Sequence, residues 1–429
     1  MATMKILIKQ GHVIDPANKI DAVNDVYIAN GKIVSIGDKP DNFKVTKTID
    51  ASGQIVMPGI VDLCARFREP GLEYKGTIAS ESAAAAAGGI TTVCIPPDTD
   101  PCIDSVAVAE LINQRATAAA KCNIVTQAAL TLGLQGEHLS EMAILKKQAN
   151  SVGVSNGLKP VKNILVMRRA MEYAASCGLT IFLHAEDTGL ANNGCAHEGA
   201  VSTRLGLPAI PESAETAAVS RDLMLIEQTG VRAHFSHISS SNALQMIAQA
   251  KQQGLPISVD ASIHHMHLID LDIGYFDSNC HVIPPLRSQR DKDGLRLGLQ
   301  KNTIDVLCSD HQPHCADAKL APFSATEPGI SGLETLLPLS LRLVNEKIID
   351  LKTMVEKLTV EPAKILGINA GTLSIDSPAD ICIFNPSENW TVNAAEFTSI
   401  GHNSPFTDWE LQGKVSHTLV DGNITYQNK

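Results

Sequence analysis

The stretch "TIFLHAED", Thr180 to Asp187, decides how the rest of the chain is read. Its first four residues are β-branched or bulky, with no polar alternation, so they predict a short strand buried on both faces. The strand ends on a histidine and runs into two acids. A buried strand that delivers polar groups at its C-terminal end is what a β/α barrel uses to build a site. Seven further stretches have the same character: "IVDLCA", "TTVCI", "NIVTQAAL", "SVGVS", "RAHFSH", "PISVDA" and "IDVLCSD". Helical segments lie between them, among them "SESAAAAAG" (Ser80 to Gly88) and "AVAELINQRATAAA" (Ala107 to Ala120). Eight such alternations predict an α/β fold, a (β/α)8 barrel over residues 58–367.

Outside that span the pattern changes. Residues 4–57 read as short alternating strands with tight turns and no helix, and "NGK" at Asn30 to Lys32 marks a hairpin. After Gly367 the chain returns to strands, "GTLSIDSPADICIFNP" and "GKVSHTLVDGNITYQ". The two ends, 1–57 and 368–429, are expected to combine into one small β-sandwich beside the barrel. A length of 429 residues suits a large barrel with such a satellite module.

Bulk properties narrow the function. A formal net charge of −11 argues against non-specific binding to nucleic acid or to an anionic membrane. Apolar runs are strand-sized, so no spanning helix is expected. The ten cysteines are scattered and form no CxxC pair, which fits a reduced, cytoplasmic protein.

Three side chains then stand out. His184, His237 and Asp310 end the fifth, sixth and eighth predicted strands, so they should meet at one barrel mouth. Imidazole and carboxylate ligands on a rigid frame are what metal-activated hydrolysis needs. Any one of them alone would read as a hydrogen-bonded structural residue. Three at the same end of three strands point to a metal site. The run "HHMH", His264 to His267, could also ligate metal but reads as a solvated loop.

The chain resembles dihydroorotases of the amidohydrolase superfamily, the type that associates with aspartate transcarbamoylase. The resemblance rests on "MPGIVDLCARFREPGLEYKGTIASES", "AAAAAGGITTVCIPPDTDP", "IFLHAED", "HFSHIS", "PPLRSQRD", "SDHQPH", "GISGLET", "PAKILGI", "ADICIFNP" and "NSPFTDWELQGKV", which span nearly its full length. It implies the barrel with a composite β-sandwich, and the reversible cyclisation of carbamoyl aspartate to dihydroorotate in pyrimidine synthesis. It implies Asp310 as the proton shuttle, and Arg68 and His314 as contacts to the substrate.

Five places depart from what the resemblance implies. Cys64 and Arg66 stand where the family has an HxH metal-binding pair. The fourth strand should present an anion, yet the matching residue is Ser155 or Asn156; Lys159 and Lys162 lie beyond the strand. Asp98 replaces an asparagine in "PPDTDP" and would repel an anionic substrate. Ile283 replaces an asparagine before "PPLR" and cannot hydrogen-bond through its side chain. Arg66 carries a permanent charge and ligates nothing, so it is expected to fill the vacant metal position and pair with Asp310.

The expectation is therefore a catalytically defective dihydroorotase homologue, resembling the family's degenerate branch. It would hold no cofactor or one weakly bound zinc, and act within a homo- or hetero-oligomer as a non-catalytic assembly partner of aspartate transcarbamoylase. One alternative is an active dihydroorotase with a single metal held by His184, His237 and either Cys64 or Asp310. Another is an amidohydrolase for a different cyclic amide, its pocket shaped by Asp98 and Ile283.

Overall fold

A computed structural model describes residues 5–428. Eight parallel strands form the barrel: Ile60–Asp62, Ile90–Ile95, Asn123–Ala129, Gly153–Ser155, Thr180–His184, Ala233–Ser236, Ile257–Ser262 and Val306–Cys308. Each pairs with its sequence neighbours, in order from first to eighth. These are the eight stretches that the sequence marks as strands. They are short and almost wholly buried, as expected where helices cover a parallel sheet.

The helices between them start where the sequence supplies caps. Thr77 accepts from Ser80 N and caps Ile78–Ala87. Asn163, Ser240 and Ser288 do the same for Ile164–Ser176, Ser241–Gln252 and Gln289–Gln300.

The ring closes by a different device. No ladder joins the first and eighth strands; a single parallel bridge, Ala65 to His311, does so just beyond their ends. Asp62 pins this seam. It is wholly buried, and accepts from Ser309 N at 3.0 Å and from the Ser309 hydroxyl. Burial raises the Asp62 carboxyl to about 6 against those hydrogen bonds. The backbone N of Arg66 donates to His311 O at 2.9 Å, so the seam and the residues that depart from the family pattern are one piece of structure.

Strands from both chain ends form a second, eight-stranded sheet. In spatial order they are Asn423–Gln427, Glu410–Val420, Ile381–Thr391, Ile55–Pro58, Lys5–Asp15, Ile20–Ala29 and Lys32–Ile36, with Lys47–Asp50 also paired to Lys5–Asp15. Hydrogen bonding runs through all of them. The expected small β domain built from both chain ends is present as a hydrogen-bonded sheet with its own apolar cluster, Ile6, Ile28, Val56, Ile381 and Leu419 in it. The hairpin at Asn30–Gly31 forms as expected, both residues left-handed at φ 55° and 75°. The expectation of no helix in this segment fails at one turn. Pro16–Asn18 is a 3-10 helix, because the Asp15 carboxylate accepts from Ala17 N and Pro16 presets its φ. Among the described residues no helix is long and apolar enough to cross a membrane.

Candidate functional site

The C-terminal ends of the barrel strands bring most of the singled-out residues together. Cys64, Arg66, Gln127, Ser155, His184 and His237 line one small cavity. The space left between them is only about 20 Å³. That is room for about one water, whereas small-molecule pockets run from about 300 Å³ upward.

Arg66 fills the centre. It is 4% exposed. Its Nε donates to Asp98 Oδ2 at 2.8 Å, and its Nη1 to Asp310 Oδ1 at 3.2 Å, with Cys64 Sγ 3.6 Å away. Burial opposes the guanidinium charge, but Asp98, Cys64 and Asp310 outweigh it and hold Arg66 above its ordinary range. Burial likewise opposes the Asp98 charge, and Arg66 prevails, so that carboxyl lies below its ordinary value. The expected Arg66–Asp310 pair is present. The expectation for Asp98 is corrected: its charge is committed to Arg66 rather than left free to repel a ligand.

Asp310 is fully engaged. Gln312 Nε2 donates to its Oδ1 at 3.1 Å and Ser262 Oγ to its Oδ2 at 3.3 Å, while His237 Nε2 lies 3.6 Å from Oδ1. Arg68, His237 and Asp310 all sit at positive φ, 66°, 57° and 46°. Such backbone costs roughly 1–3 kcal/mol per residue and tends to cluster at functional sites.

Behind His237 lies a residue that the sequence reading missed. Asp260 accepts from His237 N at 2.6 Å, with His237 Nδ1 at 3.2 Å and His234 Nε2 at 2.8 Å. Burial works against the His237 charge, yet Asp310 and Asp260 hold the imidazole well above its ordinary value. Cys308 Sγ is 3.4 Å from the same Nδ1. Only one signal could have found Asp260: an acid inside the otherwise apolar "PISVDA" strand. Among the described residues, two groups have donor atoms close enough together to hold a metal: Cys64 with His237 and Asp310, and His237 with Asp260 and Cys308.

His184 stands apart from both groups. It lines the cavity, but neither ring nitrogen has a hydrogen-bond partner. Burial, then His237 and Arg66, push it down to about 3, so it is neutral. Ser155 faces the cavity, whereas Asn156 turns into a structural network with Thr131 Oγ1, Leu134 O and Lys159 O. The fourth strand thus presents a hydroxyl and no anion. Lys159 and Lys162 are exposed.

The remaining candidates lie further out. Arg68 donates from Nε to Pro313 O at 3.2 Å, and its Nη2 is 3.2 Å from His314 Nε2. That same Nε2 is 2.9 Å from Pro328 O. One nitrogen cannot both donate to the carbonyl and accept from the arginine; the shorter contact assigns its proton to Pro328 O, leaving Arg68 in close approach. Ile283 is partly exposed and offers only apolar atoms.

The "HHMH" run is a correction. His264, His265 and His267 are 1%, 2% and 6% exposed, on a buried 3-10 turn. His265 reaches Pro285 O and His267 reaches Leu339 O, at 3.3 and 3.0 Å. The turn is packed inward by Ile263, Met266 and Leu268, which local composition did not reveal.

A family model described as "Dihydro-orotase-like" matches residues 53–243. A dihydroorotase-like protein of Pseudomonas putida is 46% identical over 423 residues, covering 99% of each chain. This chain belongs to the dihydroorotase-like family. A protein named dihydroorotase from Geobacter sp. (strain M21) is 43% identical, over 99% of this chain and all of that one. Among solved structures, the L-hydantoinase (dihydropyrimidinase) from Arthrobacter aurescens matches with a TM-score of 0.88 at 25% identity, covering 98% of this chain and 95% of that one. The barrel with its companion sheet is therefore the fold of this amidohydrolase group.

Proposed function

We propose that this dihydroorotase-like protein does not interconvert carbamoyl aspartate and dihydroorotate, and serves as a non-catalytic partner of aspartate transcarbamoylase. One observation carries the reading: the Arg66 guanidinium lies against Asp310 and Cys64, where the family's metal ligands belong. A fixed cation about 4 Å from a second cation costs about 4 kcal/mol at an effective dielectric of 20, and twice that against a dication. The donor set adds to the misfit. Burial raises the Cys64 thiol even with Arg66 beside it, and the ligand form would be the thiolate. His184 joins neither donor group, and the fourth strand supplies no anion. These residues do not fit a divalent ion.

The substrate side supports the same reading. The cavity is too small for a substrate, and Asp310 is tied up by Arg66, Gln312 and Ser262. A stable barrel can lose its site while its surface continues to serve. The division into a barrel (58–367) and a terminal module (1–57 with 368–429) belongs to this reading.

Two measurements test it. Zinc content of the purified chain, with dihydroorotate turnover, tests the silent site; well under one zinc per protomer and no turnover are expected. Stoichiometric zinc that survives dialysis would return weight to a single-metal enzyme, held by Cys64, His237 and Asp310 in place of the expected His184, His237 and either Cys64 or Asp310. Co-expression with the transcarbamoylase from the same source, then size-exclusion chromatography, tests the partnership. Two peaks that never merge, with transcarbamoylase activity unchanged by the added chain, would remove it.

A further inference from the structure

The seventh barrel strand runs into a long loop, residues 263–288, with two contrasting sides. Its inner side is packed: Ile263, Leu268, Ile273, Cys280, Val282 and Leu286 are all 3% exposed or less. Its outer side carries Leu271 at 58% exposed, Tyr275 at 100% and Phe276 at 46%. Phe276 is held at φ 70°, an uncommon conformation for a bulky side chain. The segment is tied down all the same. Asp272 Oδ2 accepts from Ile269 N at 2.7 Å, and Asp277 Oδ1 from Asn279 N at 2.9 Å. From the loop after the eighth strand, Lys319 Nζ donates to Ser278 O at 3.0 Å.

The result is an anchored apolar knob that gains little from contact with its own chain. Exposed apolar clusters with polar rims mark interaction sites, and strain held in place at a surface points the same way. Its exposed charges are acidic: across residues 263–288 Asp272 and Asp277 are exposed, whereas Asp270 and Arg287 are buried, at 9% and 3%. The Lys319 ammonium is turned inward onto Ser278 O and Glu327 O.

We propose that Leu271, Tyr275 and Phe276 form a docking knob that enters an apolar pocket rimmed by lysine or arginine on a partner protein. The inference rests on the reading above, in which that partner is the transcarbamoylase. The anionic rim requires a cationic surround, and the aromatic pair supplies the kind of anchor that carries interface energy.

The test compares the wild-type full chain with Tyr275→Ser and Phe276→Asn for binding to immobilised transcarbamoylase, beside thermal melting and sedimentation velocity of each chain alone. Y275S is expected to bind about tenfold weaker or worse while melting like wild type, since Tyr275 touches nothing in its own chain. F276N should also bind more weakly, yet melt no lower, because asparagine tolerates positive φ. Wild-type association should slow as salt is raised. Wild type that fails to bind removes the partnership and this surface together. Wild type that binds while both variants bind equally well overturns the knob alone. Self-association of the wild type that Y275S abolishes would make the occupant a second copy of this chain, and would overturn the heterotypic proposal.

Discussion

Replacing Arg66 by methionine should destabilise the protein strongly, although methionine is a good size match. The guanidinium compensates two carboxylates, Asp98 at 2.8 Å and Asp310 at 3.2 Å, the second only 1% exposed. Removing one side of a buried ion pair typically costs about 3–5 kcal/mol, because the charge left behind has lost both its water and its partner. At roughly 2 cal/mol/K of unfolding entropy per residue, a 429-residue chain that unfolds as one unit would melt about 3–6 °C lower. The triple variant Arg66→Met, Asp98→Asn, Asp310→Asn should recover most of the loss, since replacing a whole buried cluster is often neutral.

The pH dependence gives the claim a sign. In the wild type Arg66 holds the Asp98 carboxyl below its ordinary value against burial. A depressed folded value contributes stability above the unfolded value, near 3.9, and that contribution is lost as pH falls through the folded one. Without Arg66, burial is opposed only by Arg68 and a backbone hydrogen bond, so the folded value moves up. The variant then gains relative stability on acidification, so the gap to wild type should narrow as pH falls from 7 towards 4.5. Urea titrations at pH 7.0 and 4.5 measure it. A loss at pH 7 below about 1 kcal/mol, or a gap that widens in acid, would refute the claim that Arg66 compensates these carboxylates.

Three further outcomes follow from the same geometry. The double variant Cys64→His, Arg66→His should show no robust turnover in a dihydroorotase assay, because the fourth strand still lacks an anion and residues that act as a unit do not restore activity piecemeal. His267 is pushed down to about 3 by burial, then by Arg296, despite its bond to Leu339 O; its unfolded form takes up a proton below about 6.5, so stability should fall by roughly 2 kcal/mol between pH 7 and pH 5, and His267→Gln should remove about that much of the slope in urea titrations. Asn156→Ala should cost about 1–3 kcal/mol by chemical denaturation, because Thr131, Leu134 and Lys159 lose a buried partner, whereas Ser155→Ala should cost less.

The barrel was legible because its strands are apolar on both faces, a signal that needs no partner to be seen. "TIFLH" and "TTVCI" could be little else than buried strands. The histidine run was not legible. "HHMHL" looks polar, and only the turn that packs Ile263, Met266 and Leu268 inward carries its imidazoles into the protein. Asp260 was hidden for a related reason. Its role is to orient His234 and His237, which are neighbours of the seventh strand only once the sheet has formed.

The same gap between position and contact changes the meaning of two substitutions. Taken separately in the sequence, Arg66 is expected to remove a metal ligand and Asp98 to alter a substrate loop. Across 32 residues of sequence they meet as one ion pair, with Asp98 partly exposed at its outer end and Asp310 buried at its inner end. A buried arginine facing Asp310 alone would leave most of its donors without acceptors. With Asp98 added, the guanidinium has a carboxylate on two sides, and the space where a metal would sit becomes packed structure at the seam that closes the barrel. The two residues are therefore coupled, and Asp98→Asn should destabilise the protein even though asparagine is what the resemblance leads one to expect there. The coupling is measured by a double-mutant cycle between Arg66→Met and Asp98→Asn in urea denaturation. The double variant should lose clearly less than the sum of the two single losses, by an interaction of about 1–3 kcal/mol. Additive losses would show that each substitution acts alone and that the ion pair contributes nothing to holding the seam.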